Sequence, residues 1–262
     1  SHPYSNMPSG NEKSVKALKR QDLVDFYSKY YVAKNAVISI VGDLDRNKAA
    51  ALAELLTGKL KSGEQAAKLP DVTNPTKANL TRINHPSTQT HVLVGQPGIK
   101  RGDADYFTLY VGNHILGGNG LVSRLSDEIR EKRGLSYSAY SYFSPMRKPG
   151  PFQIGLQTKN DKADEALKVL RNTVTDFVDK GPTKKELDAS KKNITGGFAL
   201  RISSNKKLLE YIAMIGFYDL PLDYLDNFNK NIQSITLDQI KDAFKRRIHP
   251  DKMVTIIVGG ST

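Results

Sequence analysis

Two segments at opposite ends of the chain share one pattern of apolar and polar positions. Ser14–Asp43 and Asn231–Gly260 align without a gap. In each segment, apolar residues recur at helical spacing, a short turn follows, and a run of β-branched residues ends at glycine. The pattern therefore predicts two copies of one helix–strand unit. The aligned apolar pairs are Val15 and Ile232, Leu18 and Ile235, Leu23 and Ile240, Tyr27 and Phe244, Val37 and Val254, and Ile40 and Ile257.

A polar stretch separates the first copy from the rest of the chain. Lys61–Asn79 contains Pro70 and Pro75 and has little hydrophobic periodicity, which is typical of a linker. If both repeats have equal length, the first lacks about 140 residues at its start. We therefore expect residues 1–70 to be the C-terminal part of a truncated first repeat domain and residues 71–262 to be a complete second repeat domain. The alternative is a single domain that contains two similar helix–strand units.

The order of the elements after the linker predicts an α+β fold. Strands come first, helices follow, and a last strand returns, which indicates a two-layer domain with one sheet and helices on one face. Thr183 and Glu186 have the spacing of a capping box at a helix start. The predicted strands lie within residues 81–98, 135–145, 149–160 and 253–258, and the first helices span residues 103–118, 120–134 and 161–179.

Composition and charge exclude several classes of site. The 262 residues include no cysteine, so disulfides, thiolate zinc sites and a cysteine nucleophile are absent. No apolar run reaches the roughly 18 residues of a membrane span. The net charge is +12, but the lysines are scattered and no nucleic-acid-binding signature accompanies them. We interpret the basicity as a solvated surface and expect no nucleic-acid partner. Nucleic-acid binding is the weaker alternative.

The familiar catalytic motifs are also missing from this chain. The histidines are His2, His85, His91, His114 and His249, and none belongs to an HExxH or HxxEH zinc motif. We expect His114, which lies in an apolar helix, to be a core residue. The GGNG run lacks the Lys-Ser/Thr of a phosphate loop, and no GxSxG elbow occurs. The residues therefore show no metal site and no complete catalytic constellation.

One segment still carries suggestive chemistry. A glycine-rich loop with Gly117, Gly118 and Gly120 leads into a helix that bears Arg130, and an aromatic strand with Tyr137 follows. A helix–strand corner can direct the guanidinium and the phenol into one space. Both groups are donors suited to a peptide carbonyl or a developing oxyanion. The alternative from chemistry alone is a surface arginine and a tyrosine on a sheet face.

This segment, LGGNGLVSRLSDEIREKRGLSY, resembles the second-repeat signature of the pitrilysin-type zinc peptidases, the inverzincins. That family includes insulin-degrading enzyme and the mitochondrial processing peptidase. Asn119 and Val122 depart from its pattern, and both lie in the glycine loop. The resemblance spans most of the chain, because the front, from the HPYS at His2 onward, is similar to the family's first-repeat ending. It implies a domain of the LuxS/MPP-like metallopeptidase type with a partial copy at the N-terminus.

The resemblance also implies a function. In that family the arginine and tyrosine of this motif come from the half opposite the zinc and contact substrate near the scissile bond, and they correspond to Arg130 and Tyr137. Zinc would then be held by the missing first-repeat half or by a homologous subunit, and not by this chain.

Two accounts stay open. The chain is a component of a zinc metalloendopeptidase that binds peptides or unfolded polypeptides, inactive by itself, or it is a catalytically inactive scaffold subunit of a protein complex. The resemblance favours the bacterial periplasm, although the residues themselves do not decide the compartment.

Overall fold

A computed structural model describes residues 2–260, which form eleven α-helices and five strands together with short 3₁₀ and π-helical turns. The helices are α1 (Glu12–Ala17), α2 (Arg20–Tyr30), α3 (Arg46–Thr57), α4 (Tyr106–Asn113), α5 (Arg124–Ser126), α6 (Ala163–Lys180), α7 (Lys184–Gly196), α8 (Phe198–Arg201), α9 (Asn205–Tyr218), α10 (Tyr224–Ser234) and α11 (Leu237–Arg247). The strands are β1 (Asn79–Ile83), β2 (Ser87–Pro97), β3 (Ala139–Phe143), β4 (Pro151–Lys159) and β5 (Val254–Gly260). Across this described chain, the helices fall short of the length and hydropathy that crossing a bilayer requires.

The chain divides into two compact units. The helical unit contains the residues up to Asp71 together with Phe198–Tyr224, and the sheet unit contains Val72–Gly197 and the residues from Leu225 onward. The helical unit thus includes α8 and α9, which come late in the sequence. The assignment of residues 1–70 to a truncated repeat and of residues 71–262 to a complete one stays a prediction.

The sheet unit is a mixed five-stranded sheet with helices packed on one face. The strand order is β1-β5-β2-β4-β3, and β1 runs parallel to β5 while the other neighbours are antiparallel. Along β2 and β4, buried residues alternate with more exposed ones, as expected for a sheet covered on one side. Helix α6 packs on β2 and β4, and α11 packs on α4 and α6. The predicted α+β class is confirmed.

Local signals explain where the helices begin and end. The predicted capping box is present, because the Thr183 hydroxyl accepts from the backbone of Glu186 while the Glu186 carboxylate accepts from the backbone of Thr183. Helix α6 ends at Gly181, whose φ of 72° is easily adopted only by glycine. Helix α4 begins after Asp105, within the predicted range of residues 103–118, and the Asp105 carboxylate binds Arg246 and Arg247 instead of capping the helix.

The helices of the two helix–strand units lie at equivalent positions of the predicted repeat. Helix α2 spans Arg20–Tyr30 and α11 spans Leu237–Arg247, so both ends differ by the same offset. The 3₁₀ turns Ala33–Asn35 and Pro250–Lys252 keep this offset too.

The strand predicted for the first copy is wrong. Residues 37–42 form no strand, whereas their equivalents lie in β5. A strand needs a hydrogen-bonded neighbour. Strand β5 lies between β1 and β2, while the helical unit has no strand among its described residues. The apolar positions differ accordingly: Ile240 and Phe244 are buried, but their equivalents Leu23 and Tyr27 are exposed.

Candidate functional site

The glycine-rich segment is a series of short, irregular helical turns. Helix α4 continues into a π-helical turn at His114–Gly118, and a 3₁₀ turn at Gly120–Val122 follows. After α5, a second π-helical turn spans Asp127–Glu131 and contains Arg130. The regular helix expected over residues 120–134 is therefore replaced by three different turns, although the chain does break at Gly134, with a φ of 60°. Single π-helical turns are frequent at functional sites.

Two of the three predicted loop glycines serve close packing. A Cβ at Gly117 would collide with the backbone nitrogen and hydroxyl of Ser141 on β3, and one at Gly118 would lie 2.9 Å from the Asn113 amide. Asn113 and Ser141 exchange two hydrogen bonds, 3.0 Å from Nδ2 to the Ser141 carbonyl and 2.7 Å from the Ser141 hydroxyl to Oδ1. These glycines hold the loop against the edge strand. Gly120 has open space around it and a φ of 52°, so its role is conformational.

Arg130 is only loosely held. Its side chain is 35% exposed, and its Nε lies 3.5 Å from the Glu131 carboxylate. The neighbouring cations Lys132 and Arg133 are bound more tightly, since each donates a hydrogen bond of 2.6 Å to the Glu128 carboxylate. The bonds from Lys132 and then Arg133 lower the pKa of Glu128. The Arg130 guanidinium is therefore the least committed of the cations along this turn.

Tyr137 stands at the tip of a short loop and is 87% exposed. The expectation that it lies in the strand is wrong, because β3 begins at Ala139. The loop backbone is nevertheless fixed on both sides of the tyrosine. The Ser136 hydroxyl donates to the Gln157 carbonyl at 2.6 Å and accepts from the Ser138 N–H at 3.2 Å. These bonds to β4 and within the loop hold Tyr137 out of the strand ladder while leaving its side chain in solvent.

The turn that carries Arg130 adjoins the loop that carries Tyr137. The Leu135 N–H donates to the Ile129 carbonyl, and the Gly134 N–H donates to the Arg130 carbonyl, both at 2.9 Å. The glycine-centred corner is thus closed by backbone hydrogen bonds. The convergence of the two side chains on one substrate group stays a prediction.

Arg124 anchors this segment to the helices behind it. It donates to both carboxylate oxygens of Glu186, at 2.6 and 2.7 Å, and to the Gly181 carbonyl at 3.0 Å. Its guanidinium lies 5.0 Å from the centre of the Phe177 ring. Burial alone would raise the pKa of Glu186, but hydrogen bonds from Arg124 and from Thr183 outweigh it and lower the pKa from 4.5 to about 2.

The described residues do not fit a metal ion. Among residues 2–260, no three His, Asp or Glu side chains form a group that could hold one. His114 is buried, with Nδ1 2.9 Å from the Ser190 hydroxyl and Nε2 3.2 Å from Asn193 Oδ1. Both ring nitrogens therefore have partners in the core, as the sequence predicts for this histidine. His91 lies on the exposed side of β2.

Several side chains near the glycine loop were not predicted to matter. Asn113 and Arg124 each bind a partner distant in the sequence, and neither contact has a local signal. Tyr140 and Tyr142 on β3 stack with ring centres 5.9 Å apart and planes at 15°. Their alternation in the AYSYF segment could have identified them as one exposed strip on the strand.

Comparison with known proteins relates the chain to the peptidase M16 family. The family model described as the peptidase M16 inactive domain matches residues 17–194. The chain is 28% identical over 238 residues to an uncharacterised zinc protease of Streptomyces coelicolor, covering 88% of this chain and 52% of the relative. It is 28% identical over 258 residues to a non-peptidase homologue of Helicobacter pylori, covering 98% of this chain and 59% of the relative.

A solved structure also matches over the full chain. The crystal structure of a peptidase M16 inactive domain from Pseudomonas fluorescens has a TM-score of 0.95 and 39% sequence identity. The match covers 100% of this chain and 62% of that one. The chain therefore spans between half and two thirds of the length of these relatives.

Proposed function

The chain belongs to the M16 peptidase family and matches the model of its inactive domain, and we propose that it binds and positions peptide or unfolded polypeptide substrates for a zinc metalloendopeptidase. The zinc site would be carried by a first-repeat half or by a homologous partner subunit, because the described residues offer no ligand set. This chain would supply Arg130 and Tyr137 and would be inactive by itself.

The single observation that carries the proposal is the presentation of Tyr137. A tyrosine that is 87% exposed contributes little to the core, yet the backbone on either side of it is fixed by the Ser136 hydroxyl. A fixed backbone limits the freedom that the phenol would lose on binding substrate.

The chemistry of the two donors suits a peptide substrate. The Tyr137 hydroxyl can donate to a substrate carbonyl oxygen, and more strongly to the oxyanion that develops when that carbonyl is attacked. The Arg130 guanidinium can donate a hydrogen bond to a second carbonyl, or two parallel hydrogen bonds to a carboxylate. Its loose contact with Glu131, at 3.5 Å, is easily exchanged for a substrate group.

The second candidate function is that of a catalytically inactive scaffold subunit. The observation that favours it is the 28% identity, over 98% of this chain, to a relative that is itself named a non-peptidase homologue. A scaffold would still use the domain surfaces for assembly, but Arg130 and Tyr137 would then contact no reacting group.

Reconstitution separates the two functions. The chain is mixed with the zinc-bearing half of its parent protein or with its zinc-bearing partner, and cleavage of an unfolded peptide is followed. The peptidase account expects cleavage by the mixture and none by either component alone. The scaffold account expects a stable complex, detected by sedimentation, without added cleavage.

A further inference from the structure

The face of the sheet that points away from the helices carries an aromatic strip at one end. The strand register places Ile256, Leu93, Gly155 and Tyr140 in one row across β5, β2, β4 and β3. The neighbouring row brings Gln153 beside Tyr142. Ile256, Tyr140 and Tyr142 are 37%, 39% and 40% exposed.

The two tyrosine rings pack closely against the sheet and against each other. Tyr140 lies across Gly155, where a Cβ would lie 2.6 Å from Tyr140 Cζ, so only glycine leaves room for the ring. Tyr142 stacks on Tyr140. Burial, and then the neighbouring Tyr140, raise the pKa of the Tyr142 phenol. The pair forms a preformed flat surface, which is suited to apolar and aromatic side chains.

The strands, and the unit to which they belong, are poor in acidic residues. None of the five described strands contains an aspartate or a glutamate. Residues 72–197 and 225–262 together have 25 basic against 16 acidic residues, a net charge of +9. A lysine- or arginine-rich segment would find no carboxylate on the strands, and the net positive charge of the unit as a whole disfavours its binding.

We infer that the open face of the sheet binds an extended polypeptide segment that is rich in aromatic and apolar residues and carries neutral or acidic, not basic, flanks. Its aromatic side chains pack on Tyr140 and Tyr142, and its polar groups bond to the amides of Gln153 and Gln157. This inference rests on the proposed function and specifies the substrate class.

Binding of labelled peptides to the purified 262-residue chain tests the charge preference. Three peptides of equal length share one aromatic and apolar centre and differ only in serine, glutamate or lysine flanks. At low salt, fluorescence anisotropy should give the highest affinity for the glutamate peptide and an affinity roughly tenfold lower for the lysine peptide than for the serine peptide. Because exposed charges are screened, the difference should shrink at about 0.5 M salt.

Two double variants test the location. Tyr140→Ser/Tyr142→Ser should weaken binding of the serine-flanked peptide by roughly three- to tenfold, as expected for the loss of aromatic packing. Gln153→Glu/Gln157→Glu should bring the lysine peptide to the highest affinity of the three. The matched controls are Tyr27→Ser/Tyr31→Ser, another stacked and exposed tyrosine pair, and Gln65→Glu, and both should leave the order unchanged. Circular dichroism verifies that each variant is folded.

Three results would overturn the inference. The lysine peptide could bind as tightly as the others, or folded Tyr140→Ser/Tyr142→Ser could bind normally. Sedimentation could instead show a dimer that these variants dissociate, in which case a second copy covers the face. The assay needs no zinc-bearing partner, so it is independent of reconstitution. If the reconstituted mixture cleaves nothing but the peptides keep the expected order of affinity, only the proposed function is contradicted. If the mixture cleaves but the peptides do not show this order, only the present inference is contradicted.

Discussion

Arg124 and Glu186 form a two-point ion pair across 62 residues of sequence, with nitrogen–oxygen distances of 2.6 and 2.7 Å. The two side chains are only 23% and 29% exposed. The same carboxylate also caps α7, so one glutamate joins the turn before Arg130 to the start of that helix. The pair thereby fixes the scaffold on which the proposed substrate contacts stand.

Loss of this pair should lower the free energy of unfolding. Arg124→Ala leaves a partly buried carboxylate without its main partner and should cost about 1–3 kcal/mol in urea denaturation. The control is Lys184→Ala, which breaks the Lys184–Asp188 pair, whose side chains are 73% and 47% exposed. Exposed pairs contribute about 0–1 kcal/mol, so this control should change little. Equal losses for both variants would contradict the anchoring role of Arg124.

The pair also predicts how stability depends on pH. The folded pKa of Glu186 is about 2, below its ordinary value of 4.5. A lowered pKa means that the group stabilises the fold above pH 4.5 and that this contribution is lost as the pH falls from 4.5 towards 2. As the pH falls over this range, the free energy of unfolding measured in urea should decrease less for Glu186→Gln than for the wild type. Parallel curves for the two proteins would contradict the assignment.

The loop glycines give a third prediction. Gly117→Ala should destabilise the protein by about 1–3 kcal/mol, because the added methyl group collides with Ser141. Gly196→Ala is the matched control. Gly196 lies in α7, and a methyl group added there would meet nothing within 4 Å, so alanine should be neutral or stabilising by up to about 1 kcal/mol. Thermal unfolding of the two variants should therefore give changes of opposite sign or very different size.

Much of the fold follows from local patterns in the sequence. The alternation in β2 and β4, the amphipathic pattern of α6 and the capping box of α7 are each contained in a few consecutive residues. The parallel pairing of β1 with β5 is not, because it joins Asn79 to Val254 through tertiary packing alone. Residues 37–42 fail as a strand for the same reason: the local pattern is that of a strand, but pairing decides the outcome.

The role of the predicted site residues stays a prediction, and the local geometry around them could not be read from the sequence. The motif identifies Arg130 and Tyr137, whereas the π-helical turn and the position of Tyr137 outside β3 depend on contacts that no local pattern encodes. Ser136 reaches the Gln157 carbonyl 21 residues away, and this bond helps to keep the tyrosine out of the ladder. Arg124 lies in the same motif, yet its partner Glu186 is visible in the sequence only as a helix cap.

Arg130 should require a planar guanidinium. Arg130→Lys preserves the charge but loses the fork that binds two acceptors, so kcat/KM of the reconstituted peptidase should fall by roughly tenfold. Arg46→Lys, an exposed residue in α3, is the matched control and should keep the wild-type value. Full activity of Arg130→Lys would reduce the role of this residue to a general positive charge.

The most direct test of the central claim is the kinetics of Tyr137→Phe in the reconstituted peptidase. The variant keeps the ring and removes only the hydroxyl, so binding of the ground state should change little. If the hydroxyl donates to the developing oxyanion, kcat should fall by roughly 10²–10³, equivalent to about 2.7–4 kcal/mol, with KM nearly unchanged. Tyr31→Phe, an exposed tyrosine in the helical unit, should retain the wild-type kcat. A wild-type kcat for folded Tyr137→Phe would contradict the proposed role and favour the scaffold function.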